Sequence, residues 1–464
     1  MWWLKNVLMV DPAQGIDSLR DVLVKDGRVA LVARNLAWDE VRSRAAGEPV
    51  EVLEGQGKYL FPGLIDVHTH LREPGFEDKE DIQSGAAAAI KGGFTSVLAM
   101  ANTNPVVDQR ALVEYVRRQG EQAALARVLP VAAVTKGMRG EELVEMYELK
   151  QAGAVAFSDD GRPVANAEVM RLALDYAKIT GLPVISHCED LNLARDGLMH
   201  LGEASLRLGL RGIPASAEAA MVARDLLLAG ETGGKLHLAH ISAKESVELI
   251  RQAKAKGVNV TAEVNPHHLI FCDEDVNLSR TSLKVNPPLR SKADRTALLE
   301  ALCDGTIDML ATDHAPHAWE EKYRPMAEAP CGINGLETAL AAVWQRLVEP
   351  GHLSPARLVE AWSLNPARRF GLGGGALRPG DPADMILFDP NHREVVTRAS
   401  LASKSSNTPF LNQELQGFAV MAWVEGRLIL QNREIVRAEA QTAVRPGWRE
   451  ASGVAASRPW AANS

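Results

Sequence analysis

Asp66-Val67-His68-Thr69-His70 closes an apolar run over residues 61–67, and the reading of this pentapeptide decides the fold. Residues i and i+2 on a strand share a face, so two imidazoles one residue apart can grip one ion from the same side. A lone His-x-His is just as readily a pair of polar residues in a loop. Its neighbours along the chain give it weight. Further short apolar runs follow at 96–100, 127–134, 154–157, 183–186, 235–239, 259–264 and 308–311. Amphipathic helical stretches fill the gaps, at 111–119, 141–151, 168–179, 217–229, 243–255 and 292–303. Strand–helix alternation means a parallel sheet. Eight such runs in succession predict a closed (β/α)8 TIM barrel, an α/β fold, over an open doubly wound sheet.

The polar residues fall where that fold puts its chemistry. The first run ends in His68 and His70, the fourth in Ser158-Asp159-Asp160, the fifth in His187, the sixth in His240 and the eighth in Asp313-His314. All carboxyl ends of barrel strands point to one rim, where active sites sit. Five N/O donors and no thiolate suit zinc, with manganese or cobalt as substitutes. They exceed what one tetrahedral ion needs, so a carboxylate bridging two ions about 3.5–4 Å apart is a candidate arrangement. Adjacent Asp159 and Asp160 point to opposite sides of the chain, and spacing alone does not choose between them.

The flanks differ from this centre. Over 1–57, short strands alternate with turns such as Asp26-Gly27, a hairpin signal, and the style returns at 384–388, 417–424 and 427–430. Both ends are expected to pair into one small β-sandwich domain, built from 1–57 and 373–440 around a barrel over 58–372, with 441–464 as a tail. Lys+Arg 51 against Asp+Glu 59 gives a net charge of −8, which favours neither a nucleic-acid nor an anionic-membrane partner. No apolar run approaches a transmembrane length, and Met1-Trp2-Trp3-Leu4-Lys5 lacks signal-peptide character. Cys188, Cys272, Cys303 and Cys331 are scattered and read as free thiols in a reducing compartment. The expectation is a soluble, cytoplasmic, oligomeric protein.

The motifs resemble those of a known family. Asp66-Val67-His68-Thr69-His70-Leu71-Arg72-Glu73-Pro74-Gly75 is similar to the signature of dihydroorotases in the amidohydrolase superfamily. The likeness continues through Asn102-Thr103-Asn104-Pro105, Ser158-Asp159-Asp160-Gly161, His187-Cys188-Glu189, Asn286-Pro287-Pro288 and Asp313-His314-Ala315-Pro316-His317. It reaches Ser405, Asn407 and Thr408, and it resembles most the long bacterial form. The resemblance implies metal ligands at His68, His70, Asp160, His187, His240 and Asp313, holding one or two zinc ions per subunit. Hydantoinases place a carboxylated lysine at the bridge; here no lysine lies between Lys150 and Lys178, so Asp160 substitutes.

The implied reaction is reversible cyclisation of N-carbamoyl-L-aspartate to (S)-dihydroorotate in pyrimidine synthesis. A metal would lower the pKa of bound water towards about 7 and polarise the amide carbonyl. Asp313 is the implied general base in ring opening and acid towards the departing nitrogen, so cyclisation is expected at lower pH and hydrolysis at higher. Substrate contacts are implied at His70, Arg72, Asn102, Asn286, His317, Cys331 and Gly332. The planar fork of Arg72 suits a carboxylate, although an ion pair with Glu73 or Glu77 is the bland alternative, as a turn role beside Pro105 is for Asn102. His267-His268 read as supporting or packing residues. Candidate partners are the small-molecule substrate, a second copy in a homodimer, and aspartate transcarbamoylase. Alternatives are a hydantoinase- or allantoinase-type cyclic-amide hydrolase, disfavoured by Arg72 and Asn102, and a non-catalytic scaffold for the transcarbamoylase, disfavoured by the full ligand set.

Overall fold

The computed structural model describes residues 1–436, and the segment read as a tail lies outside the described residues. Strands β1 (Leu64–Thr69), β2 (Phe94–Ala99), β3 (Arg127–Ala132), β4 (Ala156–Ser158), β5 (Val184–Ser186), β6 (Leu236–Leu238), β7 (Val260–Val264) and β8 (Met309–Leu310) pair in chain order as one parallel sheet. Helices Ile82–Gly92, Arg110–Ala123, Met146–Ala152, Ala167–Thr180, Ser216–Thr232, Lys244–Ala255, Lys292–Asp304 and Leu336–Val343 alternate with them. Every residue of β1 and β2 is buried, as expected of strands covered on both faces. One apolar cluster is drawn from β1, β2, β3, β4, β5 and β8, and a larger one joins the strands to the helices.

The seam between β8 and β1 closes beyond the strands. Thr69 and His314 form an isolated parallel bridge, and the His70 amide donates to the His314 carbonyl at 2.8 Å. Below it the Asp66 carboxylate accepts the Thr312 amide at 3.1 Å and its hydroxyl at 2.5 Å. The barrel is thereby shut at the carboxyl ends of its first and last strands.

The chain ends build one continuous nine-stranded sheet. Tyr59–Pro62 pairs antiparallel with Met385–Val395 and joins the first strands to the last. The apolar run read as one strand over 61–67 is therefore two strands in two sheets. They part at Gly63, where a Cβ would lie 2.2 Å from Thr95 Oγ1. The small sheet curls strongly. Trp2 and Trp423 lie three strand spacings apart, roughly 14 Å in a flat sheet, yet their ring centroids are 5.6 Å apart. The Asp26-Gly27 and Glu425-Gly426 turns, all four residues at positive φ, meet so closely that a Cβ on Gly426 would lie 2.5 Å from Gly27 Cα. Among the described residues no helix is long and apolar enough to cross a membrane.

Candidate active site

Five strand ends deliver buried side chains to one point on the rim. His68 Nδ1 lies 2.7 Å from Glu263 Oε1 and His70 Nδ1 lies 2.9 Å from Asn102 Oδ1. Each acceptor orients its ring through Nδ1, so both Nε2 atoms turn inward, as hydrogen-bond acceptors behind metal-binding imidazoles do. Those Nε2 atoms meet Asp160, His68 at 3.3 Å from Oδ1 and His70 at 3.5 Å from Oδ2. His187 Nδ1 and His240 Nε2 also approach Asp160 Oδ1, at 3.5 and 3.4 Å. The ligand atoms thus form two triads, His68–His70–Asp160 and Asp160–His187–His240, each within 4.8 Å, with Asp160 common to both. Asp313 Oδ1 stands 3.1 Å from His70 Nε2 and 3.6 Å from His68 Nε2.

This donor set fits a divalent metal. His68 Nε2 and Asp160 Oδ1 are buried without a hydrogen-bond partner, and His187 Nδ1 and His240 Nε2 converge to 2.9 Å. Buried polar atoms are seldom left so, and a cation sharing their lone pairs accounts for the convergence. Burial pushes the Asp313 carboxyl up, but the His70 hydrogen bond and the charges of His68, His70 and His240 outweigh it, bringing it to about 2. Asp160 is likewise opposed by burial and held well below the carboxylate range by the surrounding imidazoles. His240 and Asp313 sit at φ 33 and 49, and Arg72 at φ 65. Three non-glycine residues in the left-handed region at one rim store strain of about 1–3 kcal/mol each, a cost found where geometry serves a site.

Asp159 is turned away, its carboxylate accepting the amides of Val134 at 2.8 Å and Thr135 at 3.1 Å. Cys188 also faces away, its Sγ near Ser186 and Asp225. Arg72 reaches along the rim, Nε donating to the Pro316 carbonyl at 3.1 Å and a terminal nitrogen lying 3.4 Å from His317 Nε2. It pairs with neither Glu73, which accepts Ile82 N and Tyr115 Oη, nor Glu77, which accepts Gly75 N. Among the described residues no carboxylate forms an ion pair with it. Burial lowers its pKa to about 10, opposed by the charges of Asp313 and Asp160.

Asn286 donates to Glu189 Oε2 at 3.2 Å, and its own Oδ1 is buried without a partner. His317 Nε2 donates to the Cys331 carbonyl at 2.8 Å, and burial with the charge of Arg72 lowers its pKa to about 2, keeping it neutral. Both backbone groups of Gly332 are engaged, the amide by the Lys284 carbonyl and the carbonyl by Asn407 Nδ2. His268 donates to the Pro287 carbonyl at 3.0 Å, and His267 is buried beside Asn265.

Sequence reasoning missed Glu263 and the work of Asn407. Glu263, fully buried on β7, also accepts His237 Nε2 at 2.9 Å. Burial opposes its ionisation, but the His68 charge and the two imidazole hydrogen bonds hold it far below the carboxylate range. Asn407 accepts the His317 amide at 3.1 Å and donates to the Ala315 and Gly332 carbonyls. A lone acid between Ala262 and Val264, inside an apolar run, is the only trace of Glu263 in the sequence.

A parallel eight-stranded barrel with His and Asp clustered at the strand ends defines an amidohydrolase-type TIM-barrel enzyme. The L-hydantoinase (dihydropyrimidinase) of Arthrobacter aurescens superposes with a TM-score of 0.80 at 25% identity, covering 94% of this chain and 97% of that one. The dihydropyrimidinase of Brevibacillus agri NCHU1002 gives a TM-score of 0.80 at 22% identity over 94% and 96%, a likeness of fold alone. A family model described as Dihydro-orotase-like matches residues 57–246. The dihydroorotase of Pelotomaculum thermopropionicum is 51% identical over 432 residues, 93% of this chain and 99% of its own. That of Pelobacter propionicus is 48% identical over 92% and 98%. The chain belongs to the dihydroorotase family and is a cyclic amide hydrolase.

Proposed function

We propose that the protein is a zinc-dependent dihydroorotase, interconverting N-carbamoyl-L-aspartate and (S)-dihydroorotate in pyrimidine synthesis. The observation that carries this reading is Asp160 shared by two ligand triads beside an Arg72 without a carboxylate partner. His68 and His70 would hold one ion and His187 and His240 the other, with Asp160 between them and Asp313 completing the first. When bound, the metal supplies Lewis-acid polarisation of the carbonyl and activation of water. Arg72 and Asn102 take the carboxylate that both substrates keep, with Asn286, His317 and the backbone at Cys331 and Gly332 framing the ring.

Asp313 moves the proton. In ring opening it accepts one from the attacking water and passes it to the leaving ring nitrogen. In cyclisation it takes the proton from the ureido nitrogen as that atom attacks the protonated side-chain carboxyl, and returns it to the departing hydroxyl, which leaves as water. Asp313 is ionised at neutral pH, its pKa held low by the adjoining imidazoles, so it is free to accept a proton. Two imidazoles beside its Oδ1 fix its direction.

The test is a cyclisation assay of purified protein on N-carbamoyl-L-aspartate before chelation, after it, and after zinc restoration. Turnover lost on chelation and regained with zinc is the expected result. Hydrolysis of hydantoin or allantoin with no action on carbamoyl-aspartate would overturn the substrate assignment. An assay with aspartate transcarbamoylase added, and sedimentation of the protein alone, address the two proposed protein partners.

A further inference from the structure

Among the described residues, two buried lysines beside the site have no carboxylate partner. Lys322 and Lys284 are 4% and 6% exposed. Lys322 Nζ donates to the Pro330 carbonyl at 2.8 Å and the Gly332 carbonyl at 3.1 Å. Lys284 Nζ donates to the carbonyls of Met326 at 2.6 Å and Ala329 at 2.7 Å. Among the described residues neither forms an ion pair. Buried ammonium groups normally require compensation, and here only peptide carbonyls supply it.

Both ammonium groups act on the same stretch. Residues 326–332 lie outside any described helix or strand, so their carbonyls have no ladder to join. The stretch ends at Gly332, whose φ is +138 and where a Cβ would lie 2.7 Å from Ala315 Cβ and 3.1 Å from His317 Nε2. The Gly332 amide closes the circuit on the Lys284 carbonyl at 2.9 Å. Four of its carbonyls are therefore fixed by two cations, and the tip touches the imidazole that neighbours Arg72.

Charge gives the arrangement a second use. The metal-binding end of the site carries Asp160, Asp313, Glu189 and Glu263, while Arg72 is one cation on the rim. A dianionic substrate must approach past those acids. Buried charges without a counterion are screened less by solvent than surface charges and project further into a cleft.

We propose that Lys284 and Lys322 are positioning residues that preform the 326–332 loop against the substrate and supply the positive potential that draws a dicarboxylate ligand into the site. This rests on the dihydroorotase reading. Neither lysine touches the reacting atoms, so their loss belongs in KM.

The experiment compares zinc-loaded wild type with K322M and K284M, whose unbranched apolar side chains are close in length to the lysine stems. We expect KM for N-carbamoyl-L-aspartate to rise about tenfold or more, equivalent to about 1.4 kcal/mol of lost binding. We expect kcat to stay within roughly threefold and zinc content to be unchanged. Wild-type KM should rise with ionic strength, and each variant should show a shallower slope, a readout that loop packing alone would not move. Variants with wild-type KM and salt slope, or with kcat lost at unchanged KM, overturn the proposal. Should the variants fail to fold, hydrogen exchange of the wild-type protein still tests it. Amides of 326–332 should exchange slowly without substrate, and free exchange there overturns the preformed loop. Absence of turnover by wild type on carbamoyl-aspartate would instead refute the functional reading itself.

Discussion

Glu263 fixes the tautomer of His68 from the far side of the ring, and its own carboxylate is shared with His237. Replacing it by Gln keeps the shape but removes the charge that makes His68 a strong donor. Glu263→Gln should weaken metal binding about 10–100-fold, the usual effect of losing such a partner, with the fold retained. Competition against a chelator of known affinity measures it, and an unchanged affinity would remove Glu263 from the site. Asp160→Asn should cost more, because both triads lose their common anion, and bound metal per chain and turnover should fall together. His68 and His70 were legible in the sequence because strand geometry places i and i+2 on one face. Glu263 was not, since its partner lies 195 residues away and the apolar run around it says nothing of what it would hold. Lys284 and Lys322 look like ordinary surface lysines for the same reason.

At the scale of elements, each strand read into the barrel lies at its run, because buried parallel strands are continuous apolar stretches bounded by turns. Phe61-Pro62-Gly63-Leu64-Ile65 misled because the chain passes from one sheet to the other without a polar turn. The helix read over 141–151 begins only at Met146, and a Thr135–Leu143 bridge occupies the residues before it. Helix Leu336–Val343 after β8 carries an acid, a residue type usually left in solvent. Glu337 is instead buried and accepts the amides of Ala402 and Ser403. Burial raises its pKa to about 7, with the Lys91 charge and those amides opposing. A folded-state value above the ordinary 4.5 means the native protein binds this proton more tightly than the unfolded chain. Its contribution is full below the ordinary carboxylate range and is lost as pH rises through about 7. Wild type should lose thermal stability between pH 5 and pH 8 relative to Glu337→Gln, by a few kcal/mol at most. Parallel melting-temperature changes in the two proteins would contradict this.

At the scale of the whole molecule, the chain ends do more than cover the barrel. Asn407, beyond the barrel in sequence, holds His317 and Gly332, so the second part of the chain helps to shape the site made by the first. Pairing of the two ends was legible because both alternate strands with Asp-Gly or Glu-Gly turns. The contacts that lock that sheet to the barrel were not, since they join residues hundreds of positions apart. One of them is Asp384, 2% exposed. Its carboxylate takes Arg127, at the start of β3, at 2.5 Å and the Glu425 amide at 2.7 Å, and its carbonyl accepts the Gly63 amide. Asp384→Ala would strand a largely buried guanidinium and an amide at once, a loss of about 3–5 kcal/mol for breaking such a pair from one side. Because strands from both chain ends and the first barrel strand meet there, sheet and barrel should unfold together. Calorimetry of Asp384→Ala should show one transition at lower temperature, with zinc content and kcat unchanged in the folded protein. Two resolved transitions, with the barrel melting at its wild-type temperature, would mean that the sheet is an appendage and that this ion pair stabilises only its own surroundings.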